Sequence, residues 1–168
     1  ALDGLGPVTL VGHSMGGKVA MLLALRHPEL VSRLVAVDIS PVAYDHMGEF
    51  TGYIDAMVGL DLTTITHRSD ADAALESAVP DPTVRGFLLQ NFRRDAEGGW
   101  RWQPNLEALR SGLGEVGGWD VEWSAYDAYE GPVLWIGGAN SHYVKEEYAA
   151  AMEALFPRVR RVTVKNAG

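Results

Sequence analysis

Short, uninterrupted apolar runs lie near the two ends of this chain, and helix-spaced apolar positions fill the stretch between them. Residues 7–12 (PVTLVG) are apolar at almost every position, as in a strand buried on both faces of a parallel sheet. A glycine-rich turn follows. Residues 18–26 are then apolar nearly all round, which predicts a buried helix that Pro28 brings to an end. Residues 33–39 (RLVAVDI) and 132–136 (PVLWI) read as two more buried strands. After Gly137 and Gly138 the pattern predicts a helix over 144–155 and a more exposed strand over 160–164. Strands alternating with helices point to an α/β fold with a parallel sheet and helices on both faces.

The middle differs. From about residue 41 to 129 no strand-like run is visible, only helical patterns broken by Gly and Pro, clearest over 71–79, 82–92 and 106–113. An all-helical insertion between two sheet strands predicts a lid that shapes a substrate pocket. The alternative is that these helices simply cover one face of the sheet. The expected organisation is core over 1–40, lid over 41–129 and core again over 130–168.

Composition narrows the functions rather than the fold. A length of 168 residues suffices for one compact domain, and 47% apolar with 21% charged residues is ordinary for a soluble globular protein. The net charge of −8 argues against nucleic-acid partners, which need a basic face. The absence of cysteine excludes disulfides, a thiol nucleophile and a Cys-ligated zinc site. The longest apolar run, 19–25, is too short to span a bilayer, so no membrane span is expected. No signal peptide is visible and a cytoplasmic location is the expectation, although the chain opens almost at once on a strand. Both ends are expected to be cut from a longer protein, with N-terminal strands and a C-terminal helix missing.

The glycine-rich turn brings in chemistry. Gly12-His13-Ser14-Met15-Gly16, with Gly17 after it, fits G-x-S-x-G between a strand and a helix. Such a nucleophile elbow turns so sharply that the serine is held in a strained conformation with its hydroxyl thrust above the sheet. Glycine is expected on either side because side chains there would collide with neighbouring backbone. The helix N-terminus adds a positive dipole, and the Met15 N–H would form part of an oxyanion hole. The other reading is a glycine-rich turn with an idle serine. His13 is expected to head away from the serine hydroxyl and to fill space near the pocket.

A serine nucleophile needs a general base and an acid that fixes the tautomer of that base. The acid usually follows the strand after the lid. Here that loop reads Gly137-Gly138-Ala139-Asn140-Ser141-His142, without a carboxylate, and Glu146 and Glu147 come later, on the expected helix. Asp38 closes the strand next to that of the nucleophile, where open α/β sheets gather their ligands. A turn-capping role is its alternative.

The segments GHSMGGKVAM, LVAVDISPVAY, FLLQNF, GGWRWQPNLEAL and LWIGGANSHYV resemble the YbfF-type esterases and their mitochondrial α/β-hydrolase-domain relatives. The resemblance runs from Val8 to Gly168. It implies an α/β-hydrolase fold and a catalytic centre in which Asp38 and Ser141 join Ser14. Ala139 stands as an insertion relative to the tightest form of the Gly-Gly-Asn-Ser pattern. The resemblance also implies a catalytic histidine directly after the Ala-Gly pair, and this chain stops at Ala167-Gly168. Among the five histidines, His27 sits at a helix end, His46 and His67 fall in the insertion, and His142 lies nearest the expected base.

The expected function is hydrolysis of a small-molecule carboxylic ester or acyl thioester through an acyl-enzyme, with no metal and no cofactor. The 168 residues by themselves are expected to be inactive. Phe87, Leu88, Leu89, Phe92, Trp100 and Trp102 suggest an apolar acyl portion, or simply a helical core. C–C bond hydrolysis, a lyase reaction, cofactor-free peroxidase chemistry and a non-enzymatic binding module are the alternatives.

Overall fold

The computed structural model describes residues 6–44, 48–119 and 126–168. Its elements in chain order are β1 (Val8–His13), α1 (Met15–Arg26), β2 (Val31–Val37), α2 (Gly48–Val58), α3 (Arg68–Leu75) and α4 (Pro82–Leu89). Then come β3 (Phe92–Arg94), β4 (Trp100–Trp102), α5 (Leu106–Gly117), β5 (Val133–Gly138), α6 (Ala149–Leu155) and β6 (Val159–Val164). They gather into two units, Ala1–Ala43 with Gly118–Gly168, and Tyr44–Gly117.

The first unit is built on a parallel sheet in the order β1-β2-β5-β6. Its register sets His13, Val37 and Ile136 side by side, so the C-terminal ends of neighbouring strands share one edge. Leu34, Ala36 and Trp135 are buried in the sheet, and Met21, Ala24, Met152 and Phe156 are fully buried on the helices and the turn after α6. The Trp135 indole N–H donates to the Ile39 carbonyl at 2.8 Å, which lets a large aromatic ring sit in the core without a stranded donor.

The apolar runs overstate burial. Val11 of β1 is 63% exposed and Val19 of α1 is 60% exposed. Among the described residues β1 pairs on one side only, with β2, and α1 buries just one face, through Ala20, Met21, Ala24 and Leu25. That helix starts at Met15, earlier than its apolar run, because Gly16 and Gly17 are already helical after the turn at Ser14. The helix expected over 144–155 shortens to α6, preceded by a single 3-10 turn at Glu146–Tyr148.

The second unit corrects the expectation of an all-helical insertion. Beside its helices it holds an antiparallel hairpin in which Phe92 pairs with Trp102 and Arg94 with Trp100. The arginines hid it, since Phe-Arg-Arg and Trp-Arg-Trp do not read as apolar strands. Their aromatic positions nevertheless fall on one face at period two. Phe92 stacks on Trp100 at a centroid distance of 4.7 Å, and the Arg94 guanidinium lies 4.2 Å from the Trp100 ring centroid on that same face. The helix expected over 82–92 accordingly ends at Leu89, that over 71–79 runs from Arg68 to Leu75, and that over 106–113 extends to Gly117. Leu89 and Phe92 belong to one core cluster with Ile65, Ala71 and Leu75, against which Trp100 and Trp102 pack. A second cluster joins Ile54, Met57 and Leu106 to Leu88 and Leu113. Five of the six apolar side chains proposed for an acyl group therefore pack in these clusters. Phe87 is exposed, and with Leu88 it lines an apolar cavity of about 230 Å³ between α4, α2 and α5.

Helix starts in this unit lean on carboxylates. Asp81 caps α4 by accepting from the Thr83 and Val84 amides, and Asp70 accepts from the His67 and Thr66 amides and the Thr66 hydroxyl at the start of α3. These bonds hold both carboxyls below their usual range, with the Thr83 amide the leading cause for Asp81 and the His67 amide for Asp70. Groups with depressed values stabilise the fold above the unfolded pKa of about 3.9, and that stability is lost as pH falls through the folded values. The urea midpoint should therefore decline with acidity below about pH 4. A D70N/D81N double variant should show a shallower decline than the parent; an unchanged slope would contradict the caps.

Candidate active site

The turn from β1 into α1 places Ser14 at φ 52° and ψ −125°, a left-handed conformation that a residue with a side chain adopts only under constraint. The constraint is visible. The Ser14 amide donates to the Val37 carbonyl at 3.0 Å, and the Ser14 carbonyl accepts from Gly17 N at 2.8 Å as α1 begins. Ser14 is exposed, and Met15 is the first residue of α1, where backbone N–H groups have no partner inside the helix.

The glycines divide the work unevenly. A Cβ on Gly12 would come within 2.2 Å of the Gly16 carbonyl oxygen, and one on Gly17 within 2.4 Å of the Ile39 side chain. A Cβ on Gly16 would meet nothing within 4 Å, so the collision expected there does not exist, and Gly17 carries the constraint instead. Gly12→Ala should therefore destabilise the protein by about 1–3 kcal/mol through overpacking against backbone. Gly16→Ala should change the urea midpoint little, and equal losses at the two positions would contradict this geometry.

Asp38 follows β2 immediately and is also left-handed, at φ 52°. Its amide donates to the Ile136 carbonyl at 2.7 Å, and its Oδ1 accepts from the Gly138 amide at 3.2 Å. Two strained, non-glycine residues thus stand at the C-terminal ends of adjacent parallel strands, the edge where this class of sheet binds its ligands. Among the described residues, the third left-handed non-glycine residue is Asn166, at φ 59°. It precedes Ala167-Gly168, which pack against the loop after β5: Asn140 N donates to the Ala167 carbonyl at 2.8 Å. Gly138 leaves room for that carbonyl, since a Cβ there would sit 2.5 Å from the Ala167 oxygen.

These segments enclose a cavity of about 260 Å³ lined by His13, Asp38, Gly137, Gly138, Ala167 and Gly168 together with Val37, Ile136 and Val164. The chain therefore reaches residue 168 inside the same pocket as the Asp38 carboxylate. Ser14 and Ser141 are not part of this lining. Ser141 is half-buried on the loop after β5, and its Oγ accepts from the Tyr143 amide at 3.1 Å. At the turn, the Ala139 N–H donates a hydrogen bond to the Val164 carbonyl at 2.9 Å.

The other titratable candidates are placed elsewhere. Glu146 and Glu147 lie exposed in the 3-10 turn, paired with Arg161 and Lys145. His27 faces Glu29, His67 sits at the start of α3, and His142 is exposed. His46 lies outside the described residues. What the sequence missed is the backbone strain at Asp38 and Asn166. Asn and Asp are the side-chain-bearing residues that most readily adopt left-handed geometry, which was the available signal.

Comparison with known proteins identifies the family. The profile of a family described as the alpha/beta hydrolase fold matches residues 3–168, and the chain belongs to that family. The sn-1-specific diacylglycerol lipase ABHD11 of Mus musculus is 40% identical over 169 residues, covering 98% of this chain and 54% of that protein. Esterase YbfF of Escherichia coli (strain K12) is 32% identical over 160 residues, covering 95% of this chain and 59% of that protein. A solved structure, a marine microorganism esterase, superposes with a TM-score of 0.90 at 28% identity and covers 96% of this chain and 63% of that one. The chain thus spans about half the length of the curated relatives it matches. Among the described residues no helix is long and apolar enough to cross a membrane.

Proposed function

We propose, from membership of the α/β hydrolase fold family, that this protein hydrolyses small carboxylic esters or acyl thioesters with Ser14 as the nucleophile. The observation that carries the reading is the strained Ser14 at the strand-to-helix turn, φ 52° and ψ −125°, directly ahead of the amides that open α1. Its hydroxyl attacks the acyl carbonyl while a base takes its proton. The carbonyl oxygen becomes an oxyanion, and the Met15 N–H stabilises it. Collapse expels the alcohol or thiol, which recovers the proton, and leaves an acyl group on Ser14. Water, deprotonated by the same base, then releases the acid.

The base is proposed to follow Gly168 in the longer protein. Support for this comes from the shared cavity, where Gly168 and Asp38 are neighbours. Asp38 would hold that base in the correct tautomer, fixed in turn by the Gly138 amide, and Ser141 would assist. The second unit, Tyr44–Gly117, is proposed as a lid. Esterase and lipase relatives support ester chemistry over the other reactions found on this fold.

The test is pre-steady-state hydrolysis of p-nitrophenyl butyrate by the full-length protein. An acyl-enzyme predicts a burst of nitrophenol close to one equivalent per protein when deacylation limits turnover, and addition of hydroxylamine should then accelerate the steady state. Absence of turnover on both this ester and butyryl thioesters would remove the reading.

A further inference from the structure

Ser40 is fully buried two residues after Asp38, and nothing above gives it a task. Its Oγ donates to the Tyr143 carbonyl at 2.6 Å, across a sequence gap of 103 residues. At 3.1 Å, the Tyr143 amide donates to Ser141 Oγ. Tyr143 is therefore held at its carbonyl by Ser40 and holds Ser141 with its N–H. A serine hydroxyl has one donor and two acceptor lone pairs. With the Tyr143 N–H on one lone pair, the Ser141 O–H keeps its proton to donate to another group.

Three further bonds join the same two segments. Asp38 N donates to the Ile136 carbonyl, Gly138 N to the Asp38 carboxylate and Trp135 Nε1 to the Ile39 carbonyl. The loop that carries Ser141 is thus laced to the residues flanking Asp38, and the Ser40 bond reaches the residue that holds Ser141. A buried serine satisfied by a carbonyl is ordinary. What distinguishes this one is the residue that accepts, since it is the residue orienting Ser141.

We infer that Ser40 is a positioning residue that acts through Tyr143 to set the Ser141 hydroxyl relative to Asp38. The inference rests on the proposed hydrolase site and deepens it. Its test is a double-mutant cycle in the full-length protein with p-nitrophenyl butyrate. Ser40→Ala should lower kcat about fivefold, the value of one hydrogen bond, with KM unchanged. In the Ser141→Ala background the same change should cost nothing further, because the group it positions is gone. Equal losses in both backgrounds, or a Ser141→Ala variant as active as the parent, would overturn the inference.

Amide exchange at Tyr143 gives a readout that needs no turnover. It should quicken in Ser40→Ala and be unaltered in Ser14→Ala; unchanged exchange in Ser40→Ala would also overturn the inference. If Ser40→Ala does not fold, Ser40→Cys keeps a weak donor at nearly the same volume and should show the same non-additivity with Ser141→Ala. Turnover that survives Ser14→Ala would instead strike at the nucleophile, and is distinguishable because Tyr143 exchange would still respond to Ser40.

Discussion

Ser14→Ala in the full-length protein is expected to lower kcat for p-nitrophenyl ester hydrolysis on the order of ten-thousandfold or more, with the fold retained. Removing the nucleophile removes the acyl-enzyme route altogether, and members of such a site act as a unit rather than additively. The substitution should not harm stability through lost packing, because Ser14 is exposed. Its backbone is a different matter. At φ 52° alanine is strained as serine is, so the variant inherits the same local cost and the urea midpoint should stay close to that of the parent. Substitution by glycine would relieve the strain, and Ser14→Gly should be more stable than Ser14→Ala while equally inactive. That pairing separates chemistry from folding: a variant that loses activity because the turn has collapsed would lose its midpoint as well. Activity within a few-fold of the parent would mean that Ser14 is the idle serine of a glycine-rich turn.

Asp38→Asn is expected to lower kcat about a thousandfold or more, by releasing the tautomer of the base that it orients. The asparagine keeps the shape, and its Oδ1 can still accept from the Gly138 amide, so the loop after β5 should remain in place. The charge is what changes. A neutral amide leaves the imidazolium formed in the transition state without its counter-charge, and lets the ring turn. Gln at both Glu146 and Glu147 should cost little by comparison, since those carboxylates are exposed and engaged with Arg161 and Lys145. Kinetics of the two variants side by side decide between the acids, and the opposite ranking would return the role to the turn after β5.

Much of this was legible in the chain itself. The serine turn announced itself because three fixed residue types fell between a strand pattern and a helix pattern, and the resemblance to YbfF-type esterases is matched by the 32% identity to Esterase YbfF. The place of Asp38 beside the nucleophile strand was equally readable, since consecutive strands joined by one helix pair in parallel. The rest depends on contacts that sequence does not display. The Asp38–Gly138 bond spans 100 residues and exists only once β5 has paired with β2. The idle space at Gly16 and the crowding at Gly17 follow from the path of the helix against Ile39, which a motif cannot show. The β3–β4 hairpin escaped because its strands are three residues each and carry arginines, so their aromatic face was too brief for a periodicity to register.

Covalent trapping bears most directly on the nucleophile. Incubating the full-length protein with a fluorophosphonate, followed by peptide mass spectrometry, should place one phosphonyl group on Ser14 and none on Ser40 or Ser141. Prior incubation with an ester substrate should slow labelling, and Ser14→Ala should abolish it. Labelling at another serine, or none in a protein that hydrolyses the ester, would contradict the assignment of Ser14 as the nucleophile.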